Sequence, residues 1–337
     1  MTGIWLALAA LVSFLITWLS GYVLIPFLHK LKFGQPIKEI GPTWHRAKQG
    51  TPTMGGLLFI LGICVSVALV CLFTGGANDS YGSAQSITGL NTNLLIGLFM
   101  ALCYGFMGFM DDWVKVKKQH NTGLTELQKL ILQFLIAATY LLMLALNGSG
   151  TTWLWLPFVG ELELGWFYYP LMAVFIVGSV NAVNINDGVD GLCSGVTTVA
   201  SITFMVMFSM QKAFGGAVLT MALLGGCIGF LLHNHHPAKV FMGDLGSNFL
   251  GGLVVALAMY LHKPVLLILI GAVYYMEMLS VVLQVLSCRL FGKRLFKMSP
   301  IHHHFEMSGW SENKIVTVFC ALTVVGSAAA VALYLLG

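Results

Sequence analysis

The chain has 337 residues, of which 58% are hydrophobic and only 9% are charged, and its formal net charge is +4. Because a soluble domain carries about 25% charged residues, this composition excludes a water-soluble fold and predicts a polytopic integral membrane protein. The seven cysteines are scattered and include no CxxC pair. They are therefore interpreted as small buried side chains rather than as disulfides or metal ligands.

The apolar residues are grouped into stretches that predict membrane-spanning helices. A bilayer core about 30 Å thick needs about 20 apolar residues per helix. Ten stretches predict an all-α protein with ten transmembrane helices, at 4–26, 54–73, 91–109, 128–146, 170–186, 192–210, 215–232, 248–261, 264–286 and 315–335. No linker or tandem repeat divides the sequence, so a single transmembrane domain over residues 1–337 is expected.

The positive charges are distributed unevenly between the loops that join these spans. Lys212 and Lys263 lie in one set of alternate loops, and the other 15 of the 17 Lys and Arg residues lie in the second set. The second set comprises loops 27–53, 110–129, 187–191, 233–247 and 287–314. The positive-inside rule identifies these loops as cytoplasmic. An even number of spans then places both termini on the outer side.

The loop 45–53 carries His45, Arg46, Lys48 and Thr53 at the start of the second span. Cations and hydroxyls there suit the oxygens of a diphosphate, although the segment lacks the pattern of a P-loop. The alternative interpretation is that these cations only anchor the span on the positive side of the membrane.

Two adjacent carboxylates, Asp111 and Asp112, end the third predicted span. Acids that emerge from hydrocarbon are costly unless a cation compensates them. On a helix, Lys115 is close enough to pair with either acid. The segment is therefore either part of a charged site or simply a polar helix end that terminates the span.

The sequence NAVNINDGVDG places an oxygen-bearing side chain at every third position: Asn181, Asn184, Asp187 and Asp190. Residues three apart share a helix surface, so this spacing predicts one polar ridge. Such a ridge suits a hard cation such as Mg²⁺, or a polar sugar or base. The alternative is a helix end with Asn, Asp and Gly turn residues.

A third polar segment contains Asn234, Phe241, Gly243 and Asp244. A lone aspartate between glycines, just before a helix, can hold a metal while backbone N–H groups face an anion. Phe241 offers an apolar face on which a base could stack. An ordinary loop is the alternative.

Three consecutive histidines, His302, His303 and His304, follow the ninth predicted span. Consecutive residues point about 100° apart in a helix and to opposite faces in a strand, so three in a row do not converge on one small ion. We expect one or two of these imidazoles to donate to phosphate or to move a proton, with Glu306 orienting them.

The polar segments match the motifs of a known family, in its order. They are GTPTMGG (50–56), MDDWVK (110–115), NAVNINDGVDGL (181–192), FMGDLGS (241–247) and SPIHHHFE (299–306). With these motifs the chain resembles the polyprenyl-phosphate N-acetylhexosamine-1-phosphate transferases. The last motif favours the branch that transfers phospho-MurNAc-pentapeptide over relatives that transfer N-acetylglucosamine phosphate.

The resemblance implies a reaction at the cytoplasmic face of the bacterial cell membrane. UDP-MurNAc-pentapeptide and undecaprenyl phosphate would give lipid I and UMP, with Mg²⁺ as the cofactor, in the first membrane step of peptidoglycan synthesis. The resemblance also implies a homodimer and a bent ninth span that opens a lipid groove. No nucleic-acid partner is expected.

The resemblance further implies roles for individual residues. Asp244 would bind the metal, with Asn184 as a possible second ligand. Catalytic roles, or contact with the lipid phosphate, fall to Asp111, Asp112, Asp244, Lys115, Lys129 and His303. Substrate contacts fall to Lys48, Thr53, Asn181, Asn184, Asp187, Asp190, Asn234, Phe241, Gly243, His302 and His304.

Two other functions are compatible with parts of the sequence. A sibling transferase with another UDP-N-acetylhexosamine donor would share most of the motifs. A transporter would explain Glu277, an acid inside the ninth predicted span, since such residues often line pathways. Transporter sites usually lie near the midplane at broken helices, whereas most acids here gather at one face.

Overall fold

The structure, a computed structural model, describes residues 2–30, 48, 50–74, 92–118 and 123–336. The helices of these ranges are α1 Thr2–Lys30, α2 Gly56–Thr74, α3 Thr92–Lys118, α4 Glu126–Leu146, α5 Tyr168–Ile185, α6 Leu192–Met210, α7 Phe214–Asn234, α8 Gly243–Tyr260, α9 Leu267–Ile270, α10 Ala272–Phe291, α11 Ile301–Glu306 and α12 Glu312–Leu336. Single 3₁₀ turns precede α5 (Gly165–Phe167) and α9 (Pro264–Leu266).

Nine helices of the described ranges are long and apolar enough to cross a membrane, namely α1 to α7, α10 and α12. This confirms the prediction of a helical, polytopic membrane protein. The remaining predicted span, 248–261, is also helical, as part of α8. The first turns of α8 contain Asp244, Ser247 and Asn248, and these polar side chains lower its mean hydropathy.

Helix α8 lies at the centre of the bundle. Every residue from Leu245 to Met259 is buried, and the helix packs mainly against α3 and α5. Helices buried on all sides are apolar all round, which explains why α8 has no polar face beyond its first turns. The packing brings the N-terminus of α8 beside the C-terminal ends of α3 and α5, where the acidic motifs lie.

In the described ranges, a short antiparallel hairpin departs from the all-α prediction. Strand β1 Trp153–Leu156 pairs with β2 Gly160–Glu163, with Trp153 opposite Glu163. Strand β1, WLWL, is apolar throughout and at least half-buried, whereas β2 carries the exposed residues Glu161, Leu162 and Glu163. The exposed Trp166 lies just after the hairpin, and an aromatic side chain in this position is typical of a membrane interface.

The ninth predicted span, 264–286, is interrupted at Gly271, between α9 and α10. Helix α10 then continues to Phe291, beyond the predicted end. Its last turns expose Leu290 (70%) and Phe291 (72%). Large apolar side chains on the outside of a membrane protein can contact lipid, so the far end of α10 is suited to face the bilayer.

Candidate active site

Three carboxylates meet where α3 ends and α8 begins. One oxygen each from Asp111, Asp112 and Asp244 lies within 4.8 Å of the other two. The Lys115 Nζ is 2.6 Å from Asp111 Oδ2 and 2.6 Å from Asp244 Oδ2. The Lys129 Nζ is 2.8 Å from the same oxygen of Asp111. We call these five residues the acidic cluster; its three carboxylates exceed its two ammonium groups.

Backbone donors fix the two aspartates of α3. The N–H of Leu124 donates to Asp111 Oδ1 at 2.7 Å, and the N–H of Leu245 donates to Asp112 Oδ2 at 3.1 Å. Lys129 is held by α4, which begins with a capping box formed by Thr125. The Asp112 Oδ1 is buried and has no hydrogen-bond partner among the described residues. A buried acceptor of this kind is open to a ligand.

Asn184, in the last turn of α5, reaches the acidic cluster. Its Nδ2 donates to Asp244 Oδ1 at 3.0 Å and to Ser247 Oγ at 2.7 Å. The predicted metal residues Asp244 and Asn184 are therefore neighbours. Clustered carboxylate and amide oxygens are hard ligands of the type that Mg²⁺ prefers, and the unpartnered oxygen of Asp112 adds another. The residues present fit a divalent cation.

The predicted polar ridge is only partly helical. Helix α5 ends at Ile185, and residues 186–191 form turns rather than the next helical turn. The prediction of one continuous helical ridge is therefore wrong, because the Asn, Asp and Gly residues of this segment end the helix. Asn181 points to α4, where it exchanges two hydrogen bonds with the amide of Gln133, at 2.9 and 3.1 Å.

Asp187 lies in the turn that follows α5. Burial, together with repulsion from Asp244 and Asp112, raises the pKa of Asp187 to about 8. At neutral pH this group therefore holds a proton while no cation offsets the nearby carboxylates. Its ionisation depends on the charge that the acidic cluster binds.

A second charged group, which we call the Lys48 cluster, comprises Lys48, Asp190, His236 and Glu312. The Lys48 Nζ is 2.7 Å from both Asp190 Oδ1 and Glu312 Oε2. The His236 Nδ1 is 3.1 Å from Asp190 Oδ2 and 3.4 Å from Glu312 Oε1. Burial alone would lower the pKa of Lys48, but its bonds to the two carboxylates raise it.

Asn234 and Phe241 shape the loop that follows α7. Asn234 is buried, with its Oδ1 accepting from the N–H of Gly191 at 3.1 Å and its Nδ2 donating to the carbonyl of Val240 at 2.9 Å. Both functional groups of this amide thus serve the protein's own backbone. The side chain of Phe241 is half-buried, and its N–H donates to the carbonyl of Pro52 at 2.9 Å.

Thr53 and Gly243 lie against the acidic cluster. Gly243 has a φ of +72°, and a Cβ at this position would lie 2.5 Å from both Asp112 Oδ2 and Thr53 Oγ1. A larger residue would therefore be strained and would collide with the site. The Thr53 hydroxyl is buried and, within the described part of the chain, has no hydrogen-bond partner.

The three histidines point in different directions from the short helix α11, as predicted. The Nδ1 of His302 is 3.1 Å from Glu277 Oε1, and that of His303 is 2.5 Å from Glu306 Oε2. The His304 Nδ1 accepts from the N–H of Lys297 at 3.1 Å. Glu306 thus orients His303, as expected. His302 has no exposed surface, which favours a supporting role over direct contact with substrate.

Sequence reasoning missed Glu312 and assigned no role to His236. Glu312 opens α12, where an acid is common because it stabilises the helix N-terminus, so its position gave no signal of a site. His45 and Arg46 lie outside the described residues. Among the predicted residues, the structure brings the motifs of α3, α5, α8 and the 48–53 segment together, and it places Asn181 and His304 away from the charged clusters.

Two protein-family models match the sequence over the segments that form the charged clusters. The family model "Glycosyl transferase family 4" matches residues 94–262, and "Phospho-N-acetylmuramoyl-pentapeptide-transferase signature 1" matches residues 48–60. The first range contains the acidic cluster, and the second contains Lys48 and Thr53.

Proteins named phospho-N-acetylmuramoyl-pentapeptide-transferase are similar to nearly the whole chain. The protein from Halalkalibacterium halodurans is 43% identical over 93% of each chain, and that from Bacillus subtilis is 43% identical over 92% of each. The protein from Desulforamulus reducens is 43% identical over 96% of this chain and 93% of its own. The chain therefore belongs to glycosyl transferase family 4 and, within it, to the phospho-N-acetylmuramoyl-pentapeptide transferases.

Proposed function

We propose that the protein transfers phospho-MurNAc-pentapeptide from UDP-MurNAc-pentapeptide to undecaprenyl phosphate, giving lipid I and UMP. The observation that carries this proposal is the acidic cluster, in which three carboxylates and two lysines meet at one end of a membrane-spanning bundle. An acceptor with a prenyl tail can stay in the bilayer while its phosphate reaches such a site, which concentrates and orients it.

The reaction must bring two anions together. The acceptor phosphate carries up to two negative charges near pH 7, and the donor diphosphate repels it. Lys115 and Lys129 face this region and offset part of the repulsion. Asp244 and Asn184 would hold Mg²⁺, which when bound supplies positive charge to the diphosphate and to the leaving UMP.

The two aspartates of α3 have different surroundings. Both oxygens of Asp111 have donors, from Leu124, Lys115 and Lys129. The Oδ1 of Asp112 has no hydrogen-bond partner among the described residues, and the Lys115 Nζ is 4.0 Å away. We therefore assign Asp112 to handle the acceptor phosphate, as base or as positioner in a direct in-line attack. A covalent phospho-enzyme trapped with donor alone would contradict the direct route.

We assign the Lys48 cluster and Phe241 to the donor. The ammonium of Lys48 and the carboxylate of Asp190 provide a donor and an acceptor for a nucleoside or its phosphates. The half-buried ring of Phe241 can stack on a base. Asn234 would contribute indirectly, since its hydrogen bond to Gly191 fixes the backbone beside Asp190.

The membrane arrangement completes the proposal. We count α8 as a membrane span in addition to the nine long apolar helices, which gives ten spans in a single domain. Both termini then lie on the outer side, and the charged clusters lie on the cytoplasmic face of the bacterial cell membrane. The distribution of Lys and Arg supports this orientation. The exposed apolar end of α10 supports a lipid-facing groove after the break at Gly271. A homodimer is part of the proposal.

An assay of UMP release tests the proposal. The purified protein should release UMP from UDP-MurNAc-pentapeptide only when both Mg²⁺ and undecaprenyl phosphate are present. UDP-N-acetylglucosamine offered in the same assay should give no product, and turnover with it would identify the sibling transferase. Uptake of the donor into vesicles without UMP release would identify a transporter and overturn the proposal.

Mg²⁺ should bind more tightly as the pH rises toward 8. The raised pKa of Asp187 means that the group is protonated below about pH 8 and must lose its proton to add negative charge near the cation. Below that pKa the affinity should rise by at most about tenfold per pH unit. The stabilisation of the protein by Mg²⁺ in thermal unfolding, measured from pH 6.5 to 9, checks this. Asp187→Asn should flatten the dependence, and an equally steep profile in that variant would contradict the assignment.

Glu312→Gln should raise the KM for the donor while changing kcat little. The substituted glutamine would keep the size of the side chain but lose the charge that holds Lys48 beside Asp190. A hydrogen bond to a charged group contributes about 1.5–3 kcal/mol, which corresponds to a KM increase of about tenfold or more. Steady-state kinetics with varied donor measures this, and a wild-type KM would remove Glu312 from the donor site.

A further inference from the structure

The proposed reaction gives no role to the buried acid Glu277. Glu277 lies in α10, within a membrane-spanning segment, and none of its surface is exposed. An ionisable group in such a place is costly and is retained where it has a partner or a function. Its surroundings show which partner it has.

Both carboxylate oxygens of Glu277 face His302. The Oε1 lies 3.1 Å from the Nδ1 of His302, an ion-pair distance without the alignment of a hydrogen bond, and the Oε2 accepts from its backbone N–H at 3.4 Å. His302 is itself fully buried. The acid therefore contacts the ring, and bonds to the backbone, of the second residue of α11.

Gln284 provides a second attachment for the same segment, two helical turns further along α10. Its Oε1 accepts from the N–H groups of Leu295 and Phe296 at 3.0 and 2.8 Å, and its Nε2 donates to the carbonyl of Phe296 at 3.1 Å. Residues seven apart lie on one face of a helix. One face of α10 thus fixes the chain at 295–296 and again at His302.

The other side of His302 faces the site. A Cβ at Gly188 would lie 2.3 Å from the Nε2 of His302, so the ring lies directly against the turn that carries Asp187 and Asp190. The rings of His302 and His303 are neighbours, with centroids 4.2 Å apart. His302 therefore connects Glu277 to both His303 and the 186–191 turn.

We propose that Glu277 is a positioning residue: through His302 it sets the place of His303 and of the 186–191 turn relative to the acidic cluster. This inference rests on the proposed transferase reaction. It assigns the mid-span acid to the catalytic site rather than to a transport pathway. A displacement of about 1 Å in such a site can lower turnover about 100-fold.

The test compares Glu277→Gln, His302→Asn and the double variant in the UMP-release assay, with thermal unfolding of each purified protein. Tyr275→Phe is the matched control, because Tyr275 also lies in α10 and the variant loses a partly buried hydrogen bond, to Ser179 at 2.7 Å. We expect each single variant to lower kcat about 100-fold with a nearly unchanged donor KM. The double variant should be no slower than the slower single variant, because residues that act as a unit are not additive.

A wild-type kcat in Glu277→Gln would overturn the inference, and so would losses that multiply in the double variant. A control as slow as Glu277→Gln would show that any lost polar contact in α10 has this effect, which also overturns it. If Glu277→Gln does not fold, Glu277→Asp keeps the charge and shortens the reach, and it should lower kcat in a folded protein; a wild-type kcat there would again contradict the inference. An inactive wild-type protein would instead refute the proposed function.

Discussion

Asp244→Asn is expected to lower turnover by at least about 10³-fold without unfolding the protein. Asp244 is the residue at which the predicted metal site, Lys115 and Asn184 meet. The amide keeps the shape of the side chain and can still pair with Asn184, but it removes the charge that a divalent cation and Lys115 require. Losing one electrostatic contact to a transition state costs about 10²–10³ in kcat, and here the metal site is weakened as well.

The measurement is kcat in the UMP-release assay, together with thermal unfolding with and without Mg²⁺. The variant should lose most of the stabilisation that Mg²⁺ gives to the wild-type protein. Glu161→Gln makes the same chemical change at an exposed position of the β1–β2 hairpin and should behave as wild type. Full activity of Asp244→Asn would discredit the metal assignment.

Lys115→Met is expected to lower kcat about 100-fold and also to destabilise the protein. The ammonium of Lys115 contacts two of the three carboxylates at 2.6 Å, and removing it leaves the acidic cluster with a single lysine. Breaking a buried ion pair by deleting one partner costs about 3–5 kcal/mol. The partial exposure of Lys115 places this variant toward the lower end of that range.

Added Mg²⁺ should restore part of the lost stability of Lys115→Met, because a cation can replace the missing charge among the carboxylates. Thermal unfolding over a Mg²⁺ titration measures this. Lys117→Met is the matched control: Lys117 lies two residues further along α3 and is exposed. Equal activity and stability of Lys115→Met and Lys117→Met would show that the cluster does not depend on Lys115.

The meeting of the acidic residues in one site could be predicted from the sequence. Charge is scarce in this chain, and its few acidic motifs fall at the ends of helices on one side of the membrane. The distances confirm that Asp111, Asp112 and Asp244 meet. The path of the chain between motifs was harder to foresee. The three-residue spacing of 181–190 fits a helix, but Asn186 and Gly188 favour turns, and α5 ends at Ile185.

The roles of amides and imidazoles depend on neighbours that are distant in the sequence. Asn181 pairs with Gln133, and Asn234 pairs with backbone groups, although an amide side chain is equally able to bind a substrate. His302 and Glu277 are 25 residues apart, on separate helices, so no local pattern links them. No local pattern showed the break at Gly271, since glycine is common inside membrane helices. Only the family resemblance implied a bend in this span.

We expect the charged clusters to lie together on the cytoplasmic side of the membrane, opposite the β1–β2 hairpin. Cysteines introduced at the exposed positions His235, Met307 and Trp166 test this arrangement. The partly or fully exposed native cysteines, Cys64, Cys71, Cys103, Cys288 and Cys320, are first replaced by serine. With a membrane-impermeant maleimide, His235→Cys and Met307→Cys should be labelled only in inside-out vesicles, and Trp166→Cys only in intact spheroplasts. Labelling of His235→Cys and Met307→Cys from opposite sides, or of either from the same side as Trp166→Cys, would contradict this arrangement.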